Sequence, residues 1–203
     1  MTVIKFCGMT RAEDVATAID AGADAVGFVL WPGSPRHVDV ERAKVLISGL
    51  SSDITPVGVF VQPSREEITR AVEHAGIRVA QVHGVADAAL ADGVGCDVWF
   101  AASLEGEDII PRVAEEFTVL LDTHDPKRFG GTGRTINWAR AARVAARRPV
   151  MLAGGLTAAN VAQAVREVRP YGVDVASGIE ERPGVKDAHA MRAFVAAVRE
   201  AEQ

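Results

Sequence analysis

Cys7 closes the apolar-rich run Val3-Ile4-Lys5-Phe6-Cys7 and is followed at once by Gly8. A thiol at the end of a strand, just before a glycine turn, is placed to meet a ligand, and as a thiolate it can take a proton. Small thiols are also ordinary core filler, so position alone leaves both roles open for Cys7. Lys5, two residues earlier, shares its strand face and can supply the positive charge that lowers the thiol's pKa. An inward-pointing ammonium is expensive unless paired, and Asp122 or Asp174 is the expected partner. Asp122 follows Val119-Leu120-Leu121. Burial there would raise its pKa and keep it protonated as an acid, while a nearby lysine would oppose this.

Two glycine turns suggest what the thiol faces. Ala153-Gly154-Gly155-Leu156-Thr157 and Ala176-Ser177-Gly178-Ile179 each follow an apolar run. Glycine lets backbone amides approach an anion closely, and a helix start beside them adds a favourable dipole. Either turn alone reads as a plain turn; the two together point to phosphate. Arg36 sits in the irregular stretch Trp31-Pro32-Gly33-Ser34-Pro35-Arg36, where its planar fork either clamps a carboxylate or is simply solvated. His37, His74, His124 and His189 show no ligand spacing with one another or with Cys96, so no metal site is expected. Phe129-Gly130-Gly131-Thr132-Gly133-Arg134 matches neither a P-loop nor a dinucleotide fingerprint. It reads as a loop that closes over substrate or as a flexible turn.

The elements that must carry these groups recur along the chain. Strand-like runs lie at Val3–Cys7, Ala25–Leu30, Pro56–Val61, Val79–Val82, Asp97–Ala101, Thr118–Asp122, Val150–Ala153 and Val173–Ala176. The spacing leaves room for a helix after each, which predicts a single-domain α/β (β/α)8 barrel over residues 1–203. A doubly wound sheet would leave two open edges that the pattern gives no reason to expect. Thr10-x-x-Glu13 and Ser64-x-x-Glu67 fit the capping box, and Asp39 and Thr157 fit simple N-caps. The fifth helix, within Ala102–Glu116, is expected to be short or irregular because it holds Gly106 and Pro111. In such a barrel the C-terminal strand ends converge on one mouth, bringing together Cys7, Arg36, His83, Asp122, Gly154-Gly155 and Ser177-Gly178.

Composition narrows the partners. A net charge of -5 without a Lys/Arg-rich run argues against nucleic acid and anionic membrane. Lys5 interrupts the early apolar stretch, and no run approaches the length of a membrane span, so a soluble cytoplasmic protein is expected. Cys7 and Cys96 are then expected as free thiols.

In order along nearly the whole chain, the motifs resemble phosphoribosylanthranilate isomerase of tryptophan biosynthesis. They are Lys5-Phe6-Cys7-Gly8-Met9-Thr10, Gly22-Ala23-Asp24-Ala25-Val26-Gly27-Phe28-Val29, Ser34-Pro35-Arg36, Val57-Gly58-Val59-Phe60-Val61, Gln81-Val82-His83-Gly84, Leu120-Leu121-Asp122-Thr123, Gly130-Gly131-Thr132-Gly133-Arg134-Thr135, Gly154-Gly155-Leu156 and Asp174-Val175-Ala176-Ser177-Gly178. Ala153 and Ala176 stand where that family commonly has serine.

The resemblance implies a cofactor-free Amadori rearrangement, the third step from chorismate to tryptophan. N-(5-phosphoribosyl)anthranilate becomes 1-(2-carboxyphenylamino)-1-deoxyribulose 5-phosphate, an aldose–ketose isomerisation. It implies Asp122 as general acid and Cys7 as general base. Arg36 would bind the anthranilate carboxylate, the glycine turns Gly154-Gly155 and Ser177-Gly178 the phosphate, and His83 and Asp174 the remaining polar groups. The sugar isomerase of histidine biosynthesis is the enzymatic rival, but that family resembles paired half-barrels with an aspartate at the strand 1 position. A silent phosphosugar-binding barrel is the non-catalytic rival, and the presence of both Cys7 and Asp122 speaks against it. Monomer and homodimer both fit the sequence, since either carries apolar residues on its outer helices.

Overall fold

The computed structural model describes residues 1–85, 87–104, 113–123 and 136–203. Eight parallel strands close into a barrel in sequence order. They are β1 (Val3–Cys7), β2 (Ala25–Val29), β3 (Thr55–Val61), β4 (Val79–His83), β5 (Asp97–Ser103), β6 (Thr118–Asp122), β7 (Val150–Leu152) and β8 (Gly172–Val175). Each lies within two residues of its expected bounds. Closure is made by β1 against β8, with Lys5 opposite Asp174 and Phe6 opposite Val175. It removes the free edges that an open sheet would have to protect.

The helices are α1 (Ala12–Ala21), α2 (Val40–Ile47), α3 (Arg65–Ala75), α4 (Trp138–Ala145), α5 (Val161–Val168) and α6 (Ala188–Ala201). Between β8 and α6 the chain adds a short ribbon, β9 (Glu180–Arg182) against β10 (Val185–Lys186). The fourth unit departs from the expected helix: only the 3-10 turn Ala88–Ala91 links β4 to β5 among the described residues. Gly93 and Gly95, both at positive φ, interrupt that short interval. The fifth interval loses its first residues to β5, which runs on to Ser103. Residues 105–112 and the glycine-rich stretch Phe129–Arg134 lie outside the described residues, as does His124.

Capping divides the expectations. Ser64 and Glu67 form the reciprocal capping box, and Asp39 accepts from Arg42 N at 2.7 Å. Thr10 does not cap α1: its hydroxyl donates instead to Gly184 O at 2.6 Å, and Arg11 takes the N-cap position without a side-chain cap. Thr157 does not cap α5 either. Asn160 accepts from Thr157 N and donates to Gly155 O, which holds Thr157–Asn160 as a turn and delays the helix to Val161.

Strand alternation sorts side chains into two cores. Residues facing the helices, such as Ile4, Phe6, Phe28, Phe100, Leu121 and Val173, join the helix faces in one large apolar layer. Phe6 meets Phe194 of α6 edge-on, with ring centroids 6.0 Å apart. Inside the barrel, the floor is apolar: Ala25, Val57, Val79, Trp99, Leu120 and Met151. No helix among the described residues is long and apolar enough to cross a membrane.

Candidate active site

Above the apolar floor the interior turns polar. Lys5 is fully buried and its Nζ donates to Asp174 Oδ1 at 2.7 Å, so of its two expected partners it takes Asp174. Burial pulls the ammonium's pKa down, but the charges and hydrogen bonds of Asp174 and Cys7 outweigh it and leave it raised. Lys5 is therefore a fixed cation at the centre of the barrel. Its charge and that of Asp174 act both on Cys7 and on Asp122.

Cys7 ends β1 and is 7% exposed, in an apolar patch with Val29 and Val59 that Trp31 and Ala176 border. Glycine at position 27 makes this crowding possible, since a Cβ there would lie 3.0 Å from both Cys7 Sγ and Lys5 Nζ. Burial pushes the thiol's pKa up, and Lys5 opposes without reversing it. Lys5 lowers the thiol's pKa as expected, but desolvation of a thiolate is the larger effect and the thiol stays raised.

Asp122 ends β6, and its carboxyl is pushed up to about 6, chiefly by burial. Thr123 N donates to Oδ1 at 2.7 Å and works against that rise. His83, at the end of β4, is buried and its pKa falls to about 4, first through burial and then through the Lys5 charge. The imidazole is accordingly neutral near pH 7. Its Nε2 lies 2.9 Å from Gln81 Nε2, and Gln81 Oε1 is buried without a hydrogen-bond partner among the described residues.

The two glycine turns pack against each other and against the acid. Gly154 adopts φ +84°, and a Cβ there would stand 3.2 Å from Asp122 Oδ1 and 3.1 Å from Thr123 N. A Cβ on Gly178 would fall 2.0 Å from Leu156 O, so the turn after β8 lies directly on the turn after β7. Ser177 is exposed and opens the 3-10 turn Ser177–Ile179. Loops after strands 7 and 8 followed by a short extra helix form the usual phosphate cradle of such barrels.

Arg36 reaches the same mouth, but it is not a free loop cation. Its Nε donates to Glu180 Oε1 at 2.8 Å and its Nη2 to Glu180 Oε2 at 2.6 Å. Lys186 Nζ donates to the same Oε1 at 2.8 Å and to Cys7 O at 2.5 Å. Sequence reasoning missed Glu180, Lys186 and Gln81. The available signal for the first two was Arg182-Pro183-Gly184, a turn that folds the chain back between two charged residues.

The apolar patch beside Cys7 suits an aromatic ring, Arg36 an anion, and the paired turns a phosphate. A thiol and a carboxyl stand at different strand ends of one mouth, an arrangement that suits proton transfer on a phosphorylated, ring-bearing substrate.

Comparison with known proteins points the same way. The family profile of N-(5'-phosphoribosyl)anthranilate (PRA) isomerase matches residues 4–197. An N-(5'-phosphoribosyl)anthranilate isomerase of Pelobacter propionicus is 42% identical over 202 residues, covering 98% of this chain and 97% of the relative. The crystal structure of phosphoribosyl anthranilate isomerase from Thermotoga maritima superposes with a TM-score of 0.91 at 34% identity, covering 98% of this chain and all of that one. A phosphoribosyl anthranilate isomerase in complex with reduced 1-(o-carboxyphenylamino)-1-deoxyribulose 5-phosphate superposes at 0.87 with 33% identity, over 98% of this chain and all of that one. By profile, sequence and fold alike, this chain belongs to the N-(5'-phosphoribosyl)anthranilate isomerase family.

Proposed function

We propose that the chain catalyses the isomerisation for which its family is named, as a single barrel domain, with Asp122 as general acid and Cys7 as general base. The observation that carries this reading is the environment of Asp122: a carboxyl raised to about 6 by burial, beside the glycine turn at Gly154. Burial thus brings the Asp122 carboxyl toward neutrality, which suits a general acid working there.

The phosphate of N-(5-phosphoribosyl)anthranilate would bind the amides of Gly154, Gly155, Ser177 and Gly178. Arg36 would hold the anthranilate carboxylate, with the ring on the apolar patch formed by Cys7, Val29, Val59 and Trp31. Asp122 protonates the furanose ring oxygen as the C1'–O bond breaks, and a Schiff base forms at C1'. Its positive charge beside Cys7 adds to that of Lys5 and favours the thiolate that burial resists. The thiolate then takes the C2' proton, and the resulting enolamine tautomerises to the ketone. His83, neutral, and Asp174, anchored by Lys5, would contact the remaining hydroxyl groups.

The free thiols Cys7 and Cys96 fit a reducing compartment, and the cytoplasm is the location this reading implies. Monomer and homodimer are equally consistent with it. The test follows the fluorescence lost as N-(5-phosphoribosyl)anthranilate, made in situ, is consumed. Wild type should consume it, and Cys7→Ser and Asp122→Asn should each slow turnover by about a hundredfold or more while remaining folded. Near wild-type rates in either variant would remove the acid–base assignment.

A further inference from the structure

The β9–β10 ribbon is an addition to the barrel, and its two buried side chains are both charged. The Glu180 side chain is 4% exposed and that of Lys186 is 0% exposed. Taking such groups out of water costs several kcal/mol each unless they are well paired. Here the pairing is close to complete. Glu180 Oε1 accepts from Arg36 Nε, Lys186 Nζ and Gly184 N, and Oε2 accepts from Arg36 Nη2. Lys186 directs its other protons to Cys7 O at 2.5 Å and Ala176 O at 3.2 Å.

Both ends of this cluster are parts of the site. Glu180 engages the Nε side of the guanidinium, which leaves the Nη1/Nη2 end for a second carboxylate. The Arg36 arm itself lies against the turn after Cys7, since a Cβ on Gly8 would stand 2.5 Å from Arg36 Cδ. Arg36 and Lys186 place two basic groups on the one carboxylate of Glu180, and burial lowers the pKa of Lys186 against that pairing. Burial pushes the Glu180 carboxyl up, but Arg36 and Lys186 more than offset this, so it stays ionised.

We propose that Glu180 and Lys186 are positioning residues: Glu180 aims the Arg36 fork at the substrate carboxylate, and Lys186 fixes the strand-end peptide that aims the Cys7 thiol. This rests on the roles given above to Arg36 and Cys7. A mere structural staple would lower stability and depress every kinetic parameter together. Positioning instead divides the effects, because Glu180 acts on carboxylate binding and Lys186 on proton abstraction.

The test uses the full chain with Glu180→Gln, Glu180→Asp and Lys186→Met, and Arg36→Ala as control. It reads kcat, KM, the thermal midpoint, and the Kd of reduced 1-(o-carboxyphenylamino)-1-deoxyribulose 5-phosphate against the same compound without its ring carboxylate. Glu180→Gln should raise KM about tenfold with kcat within a few-fold, and should erase most of the preference for the carboxylated ligand. Lys186→Met should lower kcat about tenfold with KM near wild type. Glu180→Asp, which keeps the charge but withdraws it by one methylene, should lie between and serves if Glu180→Gln does not fold. Wild-type carboxylate preference in the Glu180 variants, wild-type kcat in Lys186→Met, or losses that merely follow the thermal midpoint would each overturn the proposal. If Arg36→Ala itself keeps the preference, the assignment of Arg36 is what fails.

Discussion

Replacing Asp122 by Asn is expected to slow turnover by about a hundredfold or more and yet strengthen the fold near neutral pH. Burial moves this carboxyl from 3.8 up to about 6. Between those values the folded chain retains a proton that the unfolded chain has released. The group's contribution to stability therefore falls as pH rises through that window and stays low above it. A displacement of roughly two pH units, at about 1.4 kcal/mol each, gives a penalty of about 3 kcal/mol above pH 6. Asn keeps the oxygen that accepts from Thr123 N at 2.7 Å and nearly the same volume, but carries no charge. The variant should match wild type below about pH 4 and exceed it by about 2–3 kcal/mol at pH 7. Urea unfolding of both proteins at intervals from pH 4 to pH 8 measures the difference. A difference that is flat with pH, or one that turns against the variant as pH rises, would refute the claim that burial strains this carboxylate.

Lys5→Met should cost about 3–5 kcal/mol by leaving Asp174 buried without its partner, and the loss should shrink when Asp174→Asn is combined with it, as read from a double-mutant cycle. Because Lys5 titrates above its ordinary 10.5, the pair's contribution is complete below that value and is lost as pH rises through the folded-state pKa. The same variant should move the pH profile of Cys7 alkylation upward, since Lys5 is the main group opposing the effect of burial on that thiol. Gly178→Ala places a Cβ 2.0 Å from Leu156 O and must part the turns after β7 and β8, so the inhibition by inorganic phosphate expected of the proposed cradle should weaken about tenfold or more in a competition assay.

What the chain determines by itself is local or periodic. The alternation of β-rich runs with helical intervals pointed to the barrel, because each interval has room for the helical crossover that a parallel neighbour requires. Counting to the strand ends then located Cys7 and Asp122, and glycine after strands 7 and 8 located the two turns that pack on each other. The capping expectations show where this reach stops. Ser64 caps its own helix through a bond spanning three residues, whereas Thr10 abandons that role for Gly184, 174 residues away.

The sequence anticipated that burial raises Asp122 and that Lys5 pairs with a carboxylate, but the pairings themselves are tertiary. Lys5 and Asp174 are 169 residues apart in sequence, and Arg36 and Glu180 are 144 apart. Only barrel closure, which sets β1 beside β8 and folds the β9–β10 ribbon over the Cys7–Gly8 turn, brings them within hydrogen-bond distance. The pKa of each group follows from that closure, because desolvation depends on what covers a side chain and not on which residues precede it. Residue type and spacing determined which groups could move protons in this protein. The tertiary structure decided how far burial shifts each of them, which carboxylate pairs with Lys5, and that Arg36 reaches the mouth already held by a carboxylate of its own chain.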